Sequence, residues 1–230
     1  MPRDALITQL SEHLSQQLGH TVDDPTLPAQ LAELFYDAML DWQAPELTQG
    51  KVGAIIACSF GYARQENGNI IAGPMNAQLA DVVVALQQQH QCRVFAQWEI
   101  AEAIGNRIDH TQLTAIHPDI DPHDATVTYL STTGVLNKVI KALSFEPPEL
   151  GNVLMVAWRH HITRTVNAAR QCGFHAWSAP LDTLPSDYDP ASGQAWTRNP
   201  RDYLLHDVVA RIPLLKEELS PRPIWYKAHD

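Results

Sequence analysis

VGAIIACSF, residues Val52 to Phe60, is an unbroken apolar run that turns polar only at Ser59. A strand buried on both faces reads this way, because both alternating sets of side chains meet core. Such strands belong to mainly parallel sheets with helices on both faces, so the flanking sequence should alternate strand and helix. It does. Residues 76–89 place Leu79, Val82, Val83 and Leu86 on one helical face, with Asn76 positioned as a cap. RVFAQ, ending at Gln97, predicts a second strand, followed by a short helix over 100–107. TVTYL (126–130) predicts a third strand and 133–145 its helix. VLMVAW (153–158) predicts a fourth, with a helix over 162–172, and HAWSA around Trp177 a fifth. The expected fold is α/β, Rossmann-like, with strands 52–58, 93–97, 126–130 and 153–158 parallel in one sheet.

The ends read as additions to that core, so 1–230 is expected to form one domain. Residues 1–50 are a helical lead-in: Leu6, Ile7, Leu10, Leu14 and Leu18 repeat at helical spacing before Gly19. A second helix is predicted over 28–39, with Leu31, Leu34 and Phe35 on one face. Residues 181–230 begin as a proline-rich loop and continue as a helix over about 201–218. That helix carries Leu204, Leu205, Val208, Val209 and Ile212 as its apolar side, and Pro213 should kink or split it.

The 230 residues hold 16 Lys and Arg against 26 Asp and Glu, a net charge of −10 that repels nucleic-acid phosphates and anionic lipid. No nucleic-acid or membrane partner is therefore expected, whereas a small anionic ligand in a local pocket remains compatible. The amino-terminal stretch lacks a secretory apolar segment, and no later run is long enough to span a membrane. Cys58, Cys92 and Cys172 are scattered and odd in number, as reduced thiols in a cytoplasmic protein would be.

Ligands of open parallel sheets bind outside the strand carboxyl ends. The ends predicted here are polar: Ser59 and Gly61 after the first strand, Glu99 after the second, Ser131, Thr132 and Thr133 after the third, and Arg159 and His161 after the fourth. Arg164 follows one turn later. Hydroxyls, backbone amides and guanidinium groups suit an oxyanion or phosphate. His161 and Glu99 are the candidate catalytic pair, with His161 able to move a proton near neutral pH and Glu99 to pair with it or hold a sugar hydroxyl. The bland readings of the same residues are a helix cap at Ser131–Thr133, a core histidine and a surface carboxylate. The loop His117-Pro-Asp119-Ile-Asp121-Pro-His123-Asp124 gathers metal-ligand types, but its spacing fits neither an EF-hand nor a zinc site, so no metal is assigned. Cys58 lies in an apolar strand without a nucleophile elbow and reads as inert core. The chain contains no GxGxxG and no Walker loop, and no cofactor is named.

VLMVAWRHHITRTVNAARQCGFHAW resembles the strand, His-x-x-Arg and helix-to-Gly-Phe block of the SanA/ElyC/YdcF-like family, a domain of unknown function. His161 and Arg164 match the His and Arg of that block, and Gly173-Phe174 its helix end. TVTYLSTTGVLNKV is similar to the preceding block and carries over Thr133 and Asn137. GNIIAGPMNAQLADVVVAL is similar to the segment after the first strand, with Asn76 where many members carry Arg, and QWEIAEAI supplies the acidic residue Glu99. Ala157-Trp158 replaces the usual Thr-Ser pair, and the double glycine of the first loop is missing. The resemblance covers about residues 51–180. It implies a Rossmann-like fold and a cleft. The ligand-binding candidates are Ser59, Gly61, Thr132 and Arg159 from the strand ends, Thr133, Asn137 and Arg164 matched to the family blocks, and Asn76 at the family's Arg position. The expected function is binding of a small phosphorylated or nucleotide-like metabolite, with phosphoester or glycosyl-phosphate chemistry at His161. The alternative is a non-catalytic module for a nucleotide or an S-adenosylmethionine-like ligand.

Overall fold

The computed structural model describes residues 2–19, 23–120 and 127–219. Two compact units emerge, one from the described parts of Met1–Asp41 and Ala210–Asp230, the other from Trp42–Val209. In chain order the elements are α1 (Arg3–Leu18), α2 (Leu27–Phe35), β1 (Val52–Ala57), β2 (Ala63–Arg64), β3 (Ile70–Ile71), α3 (Gly73–His90), β4 (Arg93–Gln97) and α4 (Trp98–Ile104). There follow β5 (Leu113–Ile116), β6 (Asp119–Ile120), β7 (Val127–Thr128), α5 (Thr132–Ala142), β8 (Asn152–Val156), α6 (Ile162–Gln171), β9 (His175–Ser178) and α7 (Pro200–Leu219).

In the smaller unit α1 packs on α2, and Gly19 closes α1 at φ 54°, a backbone that glycine adopts without strain. After Phe35 the chain widens into a π-helical turn, Tyr36–Leu40, in which the Asp41 amide donates to the Tyr36 carbonyl at 3.0 Å. Arg211, near the middle of α7, donates to the carbonyl of Asp41 at 2.6 Å. Carbonyls left over where a helix ends are thus met by a guanidinium.

The larger unit is an α/β domain built on a five-stranded parallel sheet in the order β5-β4-β1-β8-β9. Crossovers from one strand to a parallel neighbour are right-handed. Moving outward from β1 in both directions therefore sends α3 and α4 to one face and α5 and α6 to the other. The packing of α3 on α4 and of α5 on α6 agrees. Ala54, Ile55, Ile56 and Ala57 of the central strand are fully buried, as an all-apolar run requires.

Gly53 interrupts the pairing register between β1 and β8, and a Cβ there would run into the carbonyl oxygen of Leu150. A backbone oxygen cannot swing away as a side-chain tip can. Gly53→Ala is therefore expected to cost about 1–3 kcal/mol by overpacking. Chemical denaturation measures it, and a variant within about 0.5 kcal/mol of wild type would refute the close approach.

Four expectations need correction. The third strand of the sheet is β5, not 126–130: Val127–Thr128 pairs antiparallel with β6 in a separate ribbon, and Thr126 lies outside the described residues. β5 carries no long apolar run, because an edge strand is held from one side only. Asn76 does not cap α3, which starts at Gly73; it stands inside the helix and faces the β1 exit. Of the kink or split expected at Pro213, the split does not occur, since α7 continues through it. Lastly, α7 buries Tyr203, Asp207 and Arg211, whereas Leu205, Val209 and Ile212 are exposed. Of the apolar side read from the sequence, Leu204 and Val208 are half-buried and the other three exposed; the fully buried line is the polar one, whose groups have partners. An unforeseen hairpin, β2–β3, follows β1; its Asn67-Gly68 turn, with Gly68 at φ 85°, was the available signal.

Candidate functional site

The strand order reverses between β1 and β8, so the carboxyl ends of β4, β1 and β8 form the place where an open sheet offers a ligand crevice. Side chains brace this edge from below. Gln97, the last residue of β4, accepts from the Ser59 amide at 3.0 Å. Fully buried Asn76 accepts from the Phe60 amide at 2.8 Å and donates to the Gly61 carbonyl at 2.9 Å. One amide side chain thus satisfies two backbone groups of the β1 exit that no strand can pair. Gly61 sits at φ 67°, and a Cβ there would press on Ser192, Thr197 and Met75. Its missing side chain admits this chain's own packing.

Two polar groups stand at the β1 exit, one beside Ser59 and one beside Phe60. On the β4 side lies Glu99, in the first turn of α4 and 1% exposed. Burial pushes its carboxyl up to about 7, while the helix's own amide and the Ser59 hydroxyl favour the charged form and only partly offset this. Its Oε2 is buried without a hydrogen-bond partner. Tyr129, stacked on Tyr62 at 5.4 Å, lies within the reach of its charge.

On the β8 side Asp207 of α7, fully buried, gathers the second group. Arg164 Nε donates to Asp207 Oδ1 at 2.7 Å, its Nη1 to the Thr132 hydroxyl at 3.1 Å, and its Nη2 reaches the Tyr203 hydroxyl at 3.5 Å. Tyr203 donates to the same Asp207 oxygen at 3.2 Å, and His161 Nδ1 stands 3.9 Å from it. The structure therefore joins three of the predicted residues, Thr132, His161 and Arg164, about an anchor that sequence reasoning missed. Asp207 and Tyr203 are four residues apart on one helical face, and that spacing was the only sequence signal for them.

The remaining candidates lie apart. Arg159 turns to the carbonyl of Trp42 at 3.0 Å and to Gln43 at 3.3 Å. Thr133 is half-buried in the first turn of α5, and Asn137 is exposed farther along that helix. Ser131 caps α5 by accepting from the Gly134 amide at 3.1 Å. Cys58 is buried, and that burial pushes its thiol up to about 12, so it is no nucleophile at neutral pH. Asp119 is paired with Lys138 at 2.7 Å; Asp121, His123 and Asp124 lie outside the described residues. Among the described residues no three His, Cys, Asp or Glu side chains are placed to hold a metal ion, and no helix is long and apolar enough to cross a membrane.

A groove of about 780 Å³ runs between α4 and the edge strand β5, past Trp98, Glu102, Asp109 and His117. Among the described residues no Lys or Arg lines it, so they offer no permanent positive charge for a phosphate. Comparison of the chain with protein-family models, with curated proteins and with solved structures returns no match.

Proposed function

We propose that the larger unit binds a small nucleotide-like metabolite along the carboxyl ends of β4, β1 and β8, as expected of a SanA/ElyC/YdcF-like protein. The observation that carries the reading is Glu99: a buried carboxyl beside the second strand end, with one oxygen unpartnered. An acidic group at this place in a doubly wound sheet suits a ligand hydroxyl, as in the ribose contact of dinucleotide folds. Held near neutrality by burial, it serves as hydrogen-bond acceptor or donor. Ser59 beside it, and Thr133 at the start of α5, supply hydroxyls for a phosphate or sugar. Arg164 acts as a structural cation, since all three of its nitrogens are engaged.

A panel of nucleoside monophosphates and sugar phosphates, read by thermal or chemical unfolding, tests the reading. A ligand present at 100 times its dissociation constant stabilises by about 2.7 kcal/mol. One class should do so in the wild type and bind at least tenfold more weakly to Glu99→Gln. No stabilisation by any member, or equal affinity in the variant, refutes it. A catalytic version, with His161 moving a proton in phosphoester or glycosyl-phosphate chemistry, is favoured by the 3.9 Å approach of its Nδ1 to Asp207. In that case His161→Ala keeps the ligand and loses turnover of it.

A further inference from the structure

Four aromatic rings fill the crevice between the carboxyl ends of β1 and β8. Phe60 and Trp158, one from each strand exit, stack with centroids 5.0 Å apart and planes inclined by 5°. Tyr203 stands edge-on to Phe60 at 4.7 Å. These three are buried to 97% or more and form walls. The fourth ring is different. Tyr188 is only half-buried and comes from the loop after β9, beside exposed Ser186, Asp187 and Pro190. It meets Phe60 at 5.7 Å and Trp158 at 6.2 Å, edge-on to both. Its hydroxyl shares a hydrogen bond of 2.9 Å with His160 Nδ1. The Arg159 amide holds the loop through the Pro185 carbonyl at 2.9 Å. The indole Nε1 of Trp158, in the wall itself, is buried with no acceptor.

We propose that Tyr188 is a displaceable plug standing where a ligand's planar heteroaromatic ring sits, in a slot walled by Phe60, Trp158 and Tyr203. The inference rests on the reading of the strand edge as a ligand site, and adds the ligand's ring class and a gate. A phenol ring fits between aromatic walls by the same edge and face contacts that a pyrimidine-sized base makes. Leaving, it frees His160 Nδ1 to meet the polar edge of such a base. A base carbonyl would also satisfy the Trp158 N–H, which Tyr188 leaves unmet; a purely apolar ring would not. A surface loop, tied to the strand exits through Pro185, Tyr188 and Gly193 rather than by a strand ladder, opens at low cost compared with the sheet beneath it. The fraction of time the plug is out scales the apparent affinity of the slot.

Uridine, which has the ring and no phosphate, and toluene, a similar ring with no polar edge, are the probes. Tyr188→Ala should bind uridine at least tenfold more tightly than wild type or Tyr188→Phe, and gain less than threefold for toluene. No gain for uridine, or an equal gain for toluene (a cavity and nothing more), overturns the proposal. Hydrogen exchange on the wild type supplies a check that does not depend on the variant folding. The Arg159 and Gly193 amides, bonded to Pro185 and Tyr62, should exchange at least 100-fold faster than those of β1. Exchange at the β1 rate overturns the gate. A uridine gain in Tyr188→Ala keeps the slot even where phosphorylated compounds fail on the wild type. Stabilisation of the wild type by those compounds, without the uridine gain, removes the slot alone.

Discussion

Glu99→Gln is expected to remove one contribution to the pH dependence of folding stability, the one that falls between about 4.5 and 7. The carboxyl is ordinarily released near 4.5, but burial holds it protonated in the folded protein up to about 7. Across that window the folded state binds more protons than the unfolded chain, so stability falls as pH rises. The contribution is fully present below about 4.5 and fully lost above about 7. Its size is about 3 kcal/mol, from roughly 1.4 kcal/mol per pKa unit. The amide of glutamine fills the same volume and cannot ionise. Measured by urea denaturation at pH 4.5 and 8, the difference between Glu99→Gln and wild type should move by about that amount in favour of the variant at the higher pH. A difference that stays constant with pH would show that Glu99 ionises normally in the folded protein, and would remove the basis for its proposed role.

The second large effect concerns Asp207 and Arg164, paired at 2.7 Å with the carboxylate fully buried. Removing one partner leaves a buried charge without its complement, so Asp207→Ala or Arg164→Ala should each cost about 3–5 kcal/mol. Removing both by a better-packed apolar pair, Arg164→Met with Asp207→Leu, should cost less than either single change, because neither charge then needs to leave water. A shift in denaturation midpoint at constant slope gives the values. Near-additive losses in the double variant would show that the two residues are not energetically paired.

The sheet was legible because its interior strands carry their own evidence. Residues 52–57, 94–96 and 153–156 are apolar on both sides, as strands with helices on both faces are. The ends of the first, second and fourth predicted strands were legible too, and Glu99, His161 and Arg164 follow two of them in the sequence; the third predicted end, at Ser131–Thr133, does not belong to the sheet. The edge strand β5 and the ribbons β2–β3 and β6–β7 were not, since short strands with partial cover leave no periodic signature.

What the sequence by itself determined is the alternation of strands and helices, and hence the carboxyl ends of β1, β4 and β8, though not that of the edge strand β5. That information is local, written in hydrophobic period and turn chemistry. What only the tertiary structure decided is the company those residues keep. Arg164 reads as an anion receptor until Asp207, 43 positions away, neutralises it. Gly61 reads as a cradle until Ser192 and Thr197 pack against it. The outward face of α7, with Leu205 and Val209 exposed and Asp207 buried, inverts what helical periodicity predicts. A buried charge is stable only beside its partner, and partners from distant elements meet only when the chain has folded.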